Sequence, residues 1–269
     1  MATGGAVAQS YFFQPLRHFN PFWGEVMPPI VDLTNATRSV WEDATDNVDL
    51  AVVEAVTGMG GAVALWRAYR RDADDSSAAL RRVYVAEVED PDAVVDVAAA
   101  SAAAGTDAVV EFFPTGGAGS PHAQAALGGA ALLWAANADG PVMIARLFDH
   151  DDPETGPAWS DDHLLLSGGE ANAVLRYLDN GTPIVSTAAV MVDFRDLPRG
   201  MVVPMGFRTD GRWVWNDAVT YYLRTHALAP EPAFLDHIRR AGPVPATLPL
   251  VDRHRAVAAL LSPLAEEQT

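Results

Sequence analysis

A chain of 269 residues with 49% hydrophobic content can bury a sizeable core, as one large domain or two smaller ones, and this excludes general disorder. Its 35 acidic residues outnumber 18 basic ones, all arginine, for a formal net charge of −17; such a field disfavours nucleic acid and anionic membranes and favours a cationic partner or simple solubility. With no cysteine, disulfides, thiol nucleophiles and cysteine-ligated metal sites drop out together.

Residues 1–30 form an expected aromatic and proline-rich arm. Tyr11 to Ile30 combines Phe12, Phe13, Phe19, Phe22 and Trp23 with four prolines, so it cannot form a regular helix yet carries much apolar area. It either wraps the domain or docks on another subunit, and Phe22 and Trp23 are its candidate anchors. The first 30 residues lack the basic start and apolar core of a signal peptide, and no run of 18 apolar residues occurs in the chain; a cytoplasmic location is the expectation.

A helix is expected over 46–57, broken by Gly58, Gly60 and Gly61, then a strand over Ala62 to Tyr69. Strands at Arg82 to Val88 and Asp107 to Phe113 flank a helix over Ala93 to Ala104 that starts at Asp90-Pro91-Asp92. A short helix at Pro121 to Leu127 and strands at Ala130 to Ala135 and Val142 to Phe148 follow. The order implies an α/β or α+β fold, a mixed sheet with helices packed on it, as two subdomains of similar size. Asp149 to Asp162 reads as an acidic loop and the internal boundary, dividing 31–155 from 156–269.

Ser167 with Glu170 three residues on has the spacing of a capping box for a helix over Ala171 to Leu178. Asp210-Gly211 suits a tight hairpin turn between Phe207-Arg208-Thr209 and Arg212-Trp213-Val214-Trp215. Asn216 or Asp217 caps a helix over about 217–226, with Val219, Tyr222 and Leu223 on one face. Pro230-Glu231-Pro232 opens a helix over about 231–240, with Phe234, Leu235 and Ile238 buried and Arg239, Arg240 and Gly242 at its end.

No motif of strong chemical specificity appears. Thr115-Gly116-Gly117-Ala118-Gly119-Ser120 lacks the lysine of a P-loop and the spacing of a dinucleotide fingerprint, and reads as a strand-to-helix connection. Asp149-His150-Asp151-Asp152 and Asp161-Asp162-His163 match neither an EF-hand nor a zincin, so Asp149, Asp151, Asp152, Asp161 and Asp162 read as a solvated loop that can steer a basic partner. His226 and His237 have no carboxylate beside them at sequence spacing. Arg208 and Arg212 could grip a carboxylate or phosphate, and Trp213 and Trp215 are either core anchors or interface residues.

The stretch from Phe207 to Ile238, with Val174 to Pro183 and Val202-Val203-Pro204-Met205, resembles a module of proteins from high-GC actinobacteria. Some of these are similar to immunity proteins of secreted polymorphic toxins. The resemblance spans roughly residues 165–240 and brings no active-site residues. Together with the net charge of −17 and the lack of catalytic motifs, it leads to the expectation of a non-catalytic acidic protein, immunity-type or accessory, without catalytic residue, cofactor or metal, that binds a protein partner of basic character; the charge makes neither nucleic acid nor membrane an expected partner. A small-molecule hydrolase or transferase whose site is assembled from distant residues is the alternative, and a structural or homo-oligomerising protein a third.

Overall fold

The computed structural model describes residues 11–13, 18–20, 25–27, 31–72, 81–90, 108–116, 120–138, 140–244 and 247–261. The fold is α+β, with mixed sheets and helices. The chain divides into two compact units, Met1–Gly140 with Leu261–Thr269, and Pro141–Leu260. The break expected near residue 155 falls inside the second unit.

The short strands β1 (Tyr11–Phe13), β2 (His18–Asn20) and β3 (Glu25–Met27) open the first unit; β2 pairs with β3. Its sheet is built from β4 (Val31–Asp32), β5 (Ala62–Asp72), β6 (Arg81–Val88), β7 (Val109–Pro114) and β8 (Ala131–Ala135) in the order β4-β8-β5-β6-β7, and β1 pairs with the end of β5. The β4–β8 and β6–β7 pairs are parallel, and β5 runs antiparallel to both of its neighbours. Val83 through Val88 are all buried, as a strand covered on both faces requires.

Helix α1 (Arg38–Ala44) is followed by α2 (Asn47–Thr57), which packs on the sheet through Val52 and Val56 against Leu65, Tyr84 and Leu133. Asp46 and Asp49 form a reciprocal capping box at its start. Asp49, fully buried, also accepts from the Tyr84 hydroxyl at 2.7 Å and pairs with Arg67, so one carboxylate fixes both the helix start and its seat on the sheet. Helix α3 (Pro121–Leu127) contacts β5 and β7. The helix expected over Ala93 to Ala104 lies outside the described residues.

In the second unit β9 (Met143–Ile144), β12 (Thr182–Val185), β15 (Phe207–Thr209) and β16 (Trp213–Asn216) form a sheet in the order β12-β15-β16-β9. The strand expected over Val142 to Phe148 shrinks to two residues, because only Met143 and Ile144 find ladder partners, on Trp213 and Val214. Strands β10 (His150–Asp152) and β11 (Gly156–Ala158) turn the expected acidic loop into a hairpin. Strands β13 (Val190–Val192) and β14 (Met201–Pro204) make a separate ribbon.

Helices α4 (Gly168–Asn180), α5 (Asp217–His226) and α6 (Pro232–Ala241) cover the second sheet, and α7 (Leu250–Leu261) follows. The hairpin at Asp210-Gly211 and the bounds of α5 and α6 agree with the sequence reading. The Ser167 cap does not: its side chain makes no capping bond, and Glu170 turns instead to Arg239 at 2.7 Å. The core packs Val174, Tyr177 and Leu178 of α4, Trp213 and Trp215 of β16, Val219 and Leu223 of α5 and Phe234, Leu235 and Ile238 of α6. Trp213 stacks on Phe234 with ring centroids 5.0 Å apart, and Trp215 stands 5.3 Å from the same ring.

Helix α4 ends on Gly181, whose backbone lies against the edge of the Trp215 indole and the Arg208 side chain. A methyl group there would overlap the indole, and overpacking of this kind costs about 1–3 kcal/mol or more. Gly181→Ala should therefore lower the urea midpoint of the second unit, read by tryptophan fluorescence.

Candidate functional site

In the second unit three histidines are each held by an aspartate distant in sequence, and two of the arrangements repeat one design. Asp210 lies in the turn of the β15–β16 hairpin. Its Oδ1 accepts the backbone N–H groups of Arg212 at 2.8 Å and Trp213 at 2.7 Å. Its Oδ2 accepts from His237 Nε2 at 2.6 Å and from the Tyr177 hydroxyl. One side chain therefore closes the turn and ties it to α4 and α6. Burial raises the Tyr177 phenol above its ordinary range and the Asp210 bond adds to this, so Tyr177 remains the donor.

Asp193, fully buried, does the same for the turn between β13 and β14. Oδ1 accepts from Arg195 N at 2.9 Å and Asp196 N at 3.1 Å. Oδ2 accepts from Tyr221 at 2.9 Å and His226 at 2.7 Å, both on α5. Burial works to raise the Asp193 carboxyl, but the bonds from His226, Arg195 and Tyr221 outweigh it and the net shift is downward.

The third pair braces the acidic hairpin. Asp149 Oδ2 accepts from Ser160 N and sits 2.8 Å from His163 Nδ1, while His163 Nε2 lies 3.0 Å from the carbonyl of Ala229. Both ring nitrogens face oxygen acceptors, and a neutral imidazole can donate to only one of them. Burial of Asp149 opposes ionisation, yet the Ser160 and His163 bonds bring its carboxyl below the ordinary value. Trp159 Nε1 adds a 3.0 Å bond to the carbonyl of Leu147.

The outer hairpin keeps its own shape. Asp152 Oδ1 accepts from Glu154 N at 2.8 Å and Thr155 N at 2.9 Å, and Gly156 takes the positive φ of 80° that ends the turn. Asp151, Asp152, Glu154, Asp161 and Asp162 are exposed. Beside them a cleft of about 320 Å³ is lined by Asp149, Asp162, His163, Asp236 and Arg239, with Leu164 and Leu235 on its walls.

The remaining candidates disperse. Arg208 is committed within the fold: Nε pairs with Asp217 at 2.8 Å and Nη1 reaches the carbonyls of Asp179 and Gly181, both at 3.1 Å. Arg212 is exposed and electrostatically coupled to Asp252, whose carboxyl is raised by burial against the pull of Arg255 and Arg212. Trp213 and Trp215 are core residues, 8% and 0% exposed. Phe22 and Trp23 lie outside the described residues. Among the described residues no group of three or more His, Cys, Asp and Glu has the arrangement of a metal site, and no helix is long and apolar enough to cross a membrane. The aspartate partners of His226 and His237 could not be found by spacing, since they lie 33 and 27 residues away; Asp210-Gly211 marked the turn but not its second task.

Compared with known protein families, curated proteins and solved structures, the chain matches none. Its functional reading rests on its own residues.

The lowered Asp193 carboxyl sets a pH dependence. A carboxyl whose folded-state pKa lies below the unfolded value contributes stability in full above about pH 4, and the contribution is lost as pH falls through the folded value. With its ordinary value at 3.8, Asp193→Asn should weaken the second unit at pH 7 and flatten its stability profile below pH 4. Chemical denaturation at a series of pH values measures both effects; an unchanged acid slope would remove Asp193 from the account.

Proposed function

We propose that the protein is a non-catalytic acidic binding protein, of the immunity or accessory type, which receives a basic protein partner on the hairpin β10–β11 and the turn that follows it. A cytoplasmic location belongs to the same proposal. The supporting observation is that four exposed carboxylates, Asp151, Glu154, Asp161 and Asp162, stand on a segment whose shape is held by other atoms: the Asp149–His163–Ala229 brace, the Trp159 bond and the turn closed by Asp152 Oδ1. Charges on a pre-shaped surface lose little conformational freedom on binding, and their attraction to a cationic partner acts mainly on the association rate. The net charge of −17 extends the same field over longer range.

A second reading, a small-molecule hydrolase or transferase, has one observation in its favour. An imidazole oriented by a carboxylate, as His237 is by Asp210, is the base half of an acyl-transfer site. Ester turnover abolished by His237→Ala would support that reading over binding.

The binding reading is tested with a fluorescent oligo-arginine peptide and rapid-mixing kinetics. Asp151→Asn with Asp152→Asn, Asp161→Asn and Asp162→Asn should slow association several-fold at low salt. The difference should vanish near 1 M salt, where the Debye length is about 3 Å. Asparagine at 152 keeps the side-chain oxygen that closes the turn. A control set of equal charge on the first unit, Asp43→Asn with Glu54→Gln, Glu89→Gln and Asp90→Asn, should have a smaller effect; equal slowing by both sets would reduce the hairpin to a share of the net charge and overturn the proposal.

A further inference from the structure

The ribbon β13–β14 exposes apolar side chains that its own unit does not cover. Its inner face packs on the protein: Val203 is fully buried and joins Tyr222 and Leu228 in a small core, with Met191 against it. Its outer face and tip present Val190, Val202 and Phe194, and Leu197 and Met201 are each 62% exposed. Contiguous exposed apolar residues on a β-ribbon mark an interaction surface. Among the described residues β13 and β14 pair only with each other, so each has an outer edge that no strand fills.

We propose that this ribbon is a self-association surface on which a second copy of the chain docks. Charge selects this occupant. Two molecules of net charge −17 repel one another over most of their surface. The ribbon tip departs from that pattern: Arg195 and Arg199 are exposed, Asp196 is half-buried, and Asp193 is buried and bound to His226 and Tyr221. The tip is thus a place where two copies meet with less repulsion, and the arginines of one lie in the acidic field of the other. An anionic lipid surface would face the whole negative charge of the protein and is disfavoured.

The strands are suited to twofold pairing. Val190-Met191-Val192 reads the same in both directions, so antiparallel pairing centred on Met191 sets Val190 of each copy opposite Val192 of the other. Strand β14 ends on Pro204, which has no N–H to donate, so β13 is the better edge. A standard stable interface engages roughly 20–30 residues a side. The ribbon is smaller, and the dimer should dissociate in the micromolar range, about 1–100 µM.

Sedimentation velocity of the full chain over roughly 1–200 µM, a range set by that expected affinity, tests the proposal. The average mass should climb from 28.7 kDa towards twice that value. Leu197→Asp with Val202→Asp should raise the dissociation constant at least about tenfold, with an unchanged far-ultraviolet circular dichroism spectrum. Leu197→Ser alone, a milder change at an exposed site, should shift it in the same direction if the double variant fails to fold. A chain that stays monomeric throughout overturns the proposal, as does a folded variant that associates like the native chain. A monomer that binds phosphatidylserine vesicles through Leu197 and Val202 overturns it in favour of lipid.

Discussion

The Asp210 carboxylate organises the second unit. One oxygen closes the β15–β16 turn through two backbone amides, and the other gathers Tyr177 from α4 and His237 from α6. Removing it would take from the Tyr177 hydroxyl and the half-buried His237 ring the acceptor they share and would free the turn; a polar group left unmet in a buried setting costs about 1–3 kcal/mol. The aromatic core of Trp213, Trp215 and Phe234 lies next to this junction. Hydrophobic burial supplies the larger energy there, but it does not specify direction; the carboxylate sets the angle at which two helices and a hairpin meet.

The same solution appears again at Asp193 and, in altered form, at Asp149. Each places an ionised group where burial is costly and offsets the cost with several donors. The first unit uses Asp49 similarly, between a helix start, Tyr84 and Arg67. An acidic composition is therefore divided between two tasks. Some carboxylates are turned inward as acceptors for turns and rings, and the others remain in water and carry the field.

Local chemistry was legible and long-range chemistry was not. Asp210-Gly211 announced its turn because Gly211 takes a φ of 96°, and α5 and α6 matched their expected limits because Asn216, the proline at the start of α6 and Gly242 act within one helical turn. Ser167 and Glu170 had the spacing of a capping box, yet Glu170 found Arg239, 69 residues away, and the local rule lost to a tertiary partner. The Val142–Phe148 strand failed for a related reason, since a strand extends only as far as its neighbour does. Asp149 and His163 stood in one acidic cluster of the sequence, but the Asp193–His226 and Asp210–His237 pairs were hidden altogether: nothing along the chain tells His226 from any other polar residue at a helix end until Asp193 is folded beneath it.

The hairpin β10–β11 separates form from charge. Its turn is closed by amides, one side-chain oxygen that asparagine also possesses, and a glycine, while Asp151, Asp161 and Asp162 are exposed and bear charge. Such a surface can exchange its outer residues one by one under selection without passing through an unstable intermediate. The charge pattern of this edge can therefore change residue by residue while the fold beneath it stays the same.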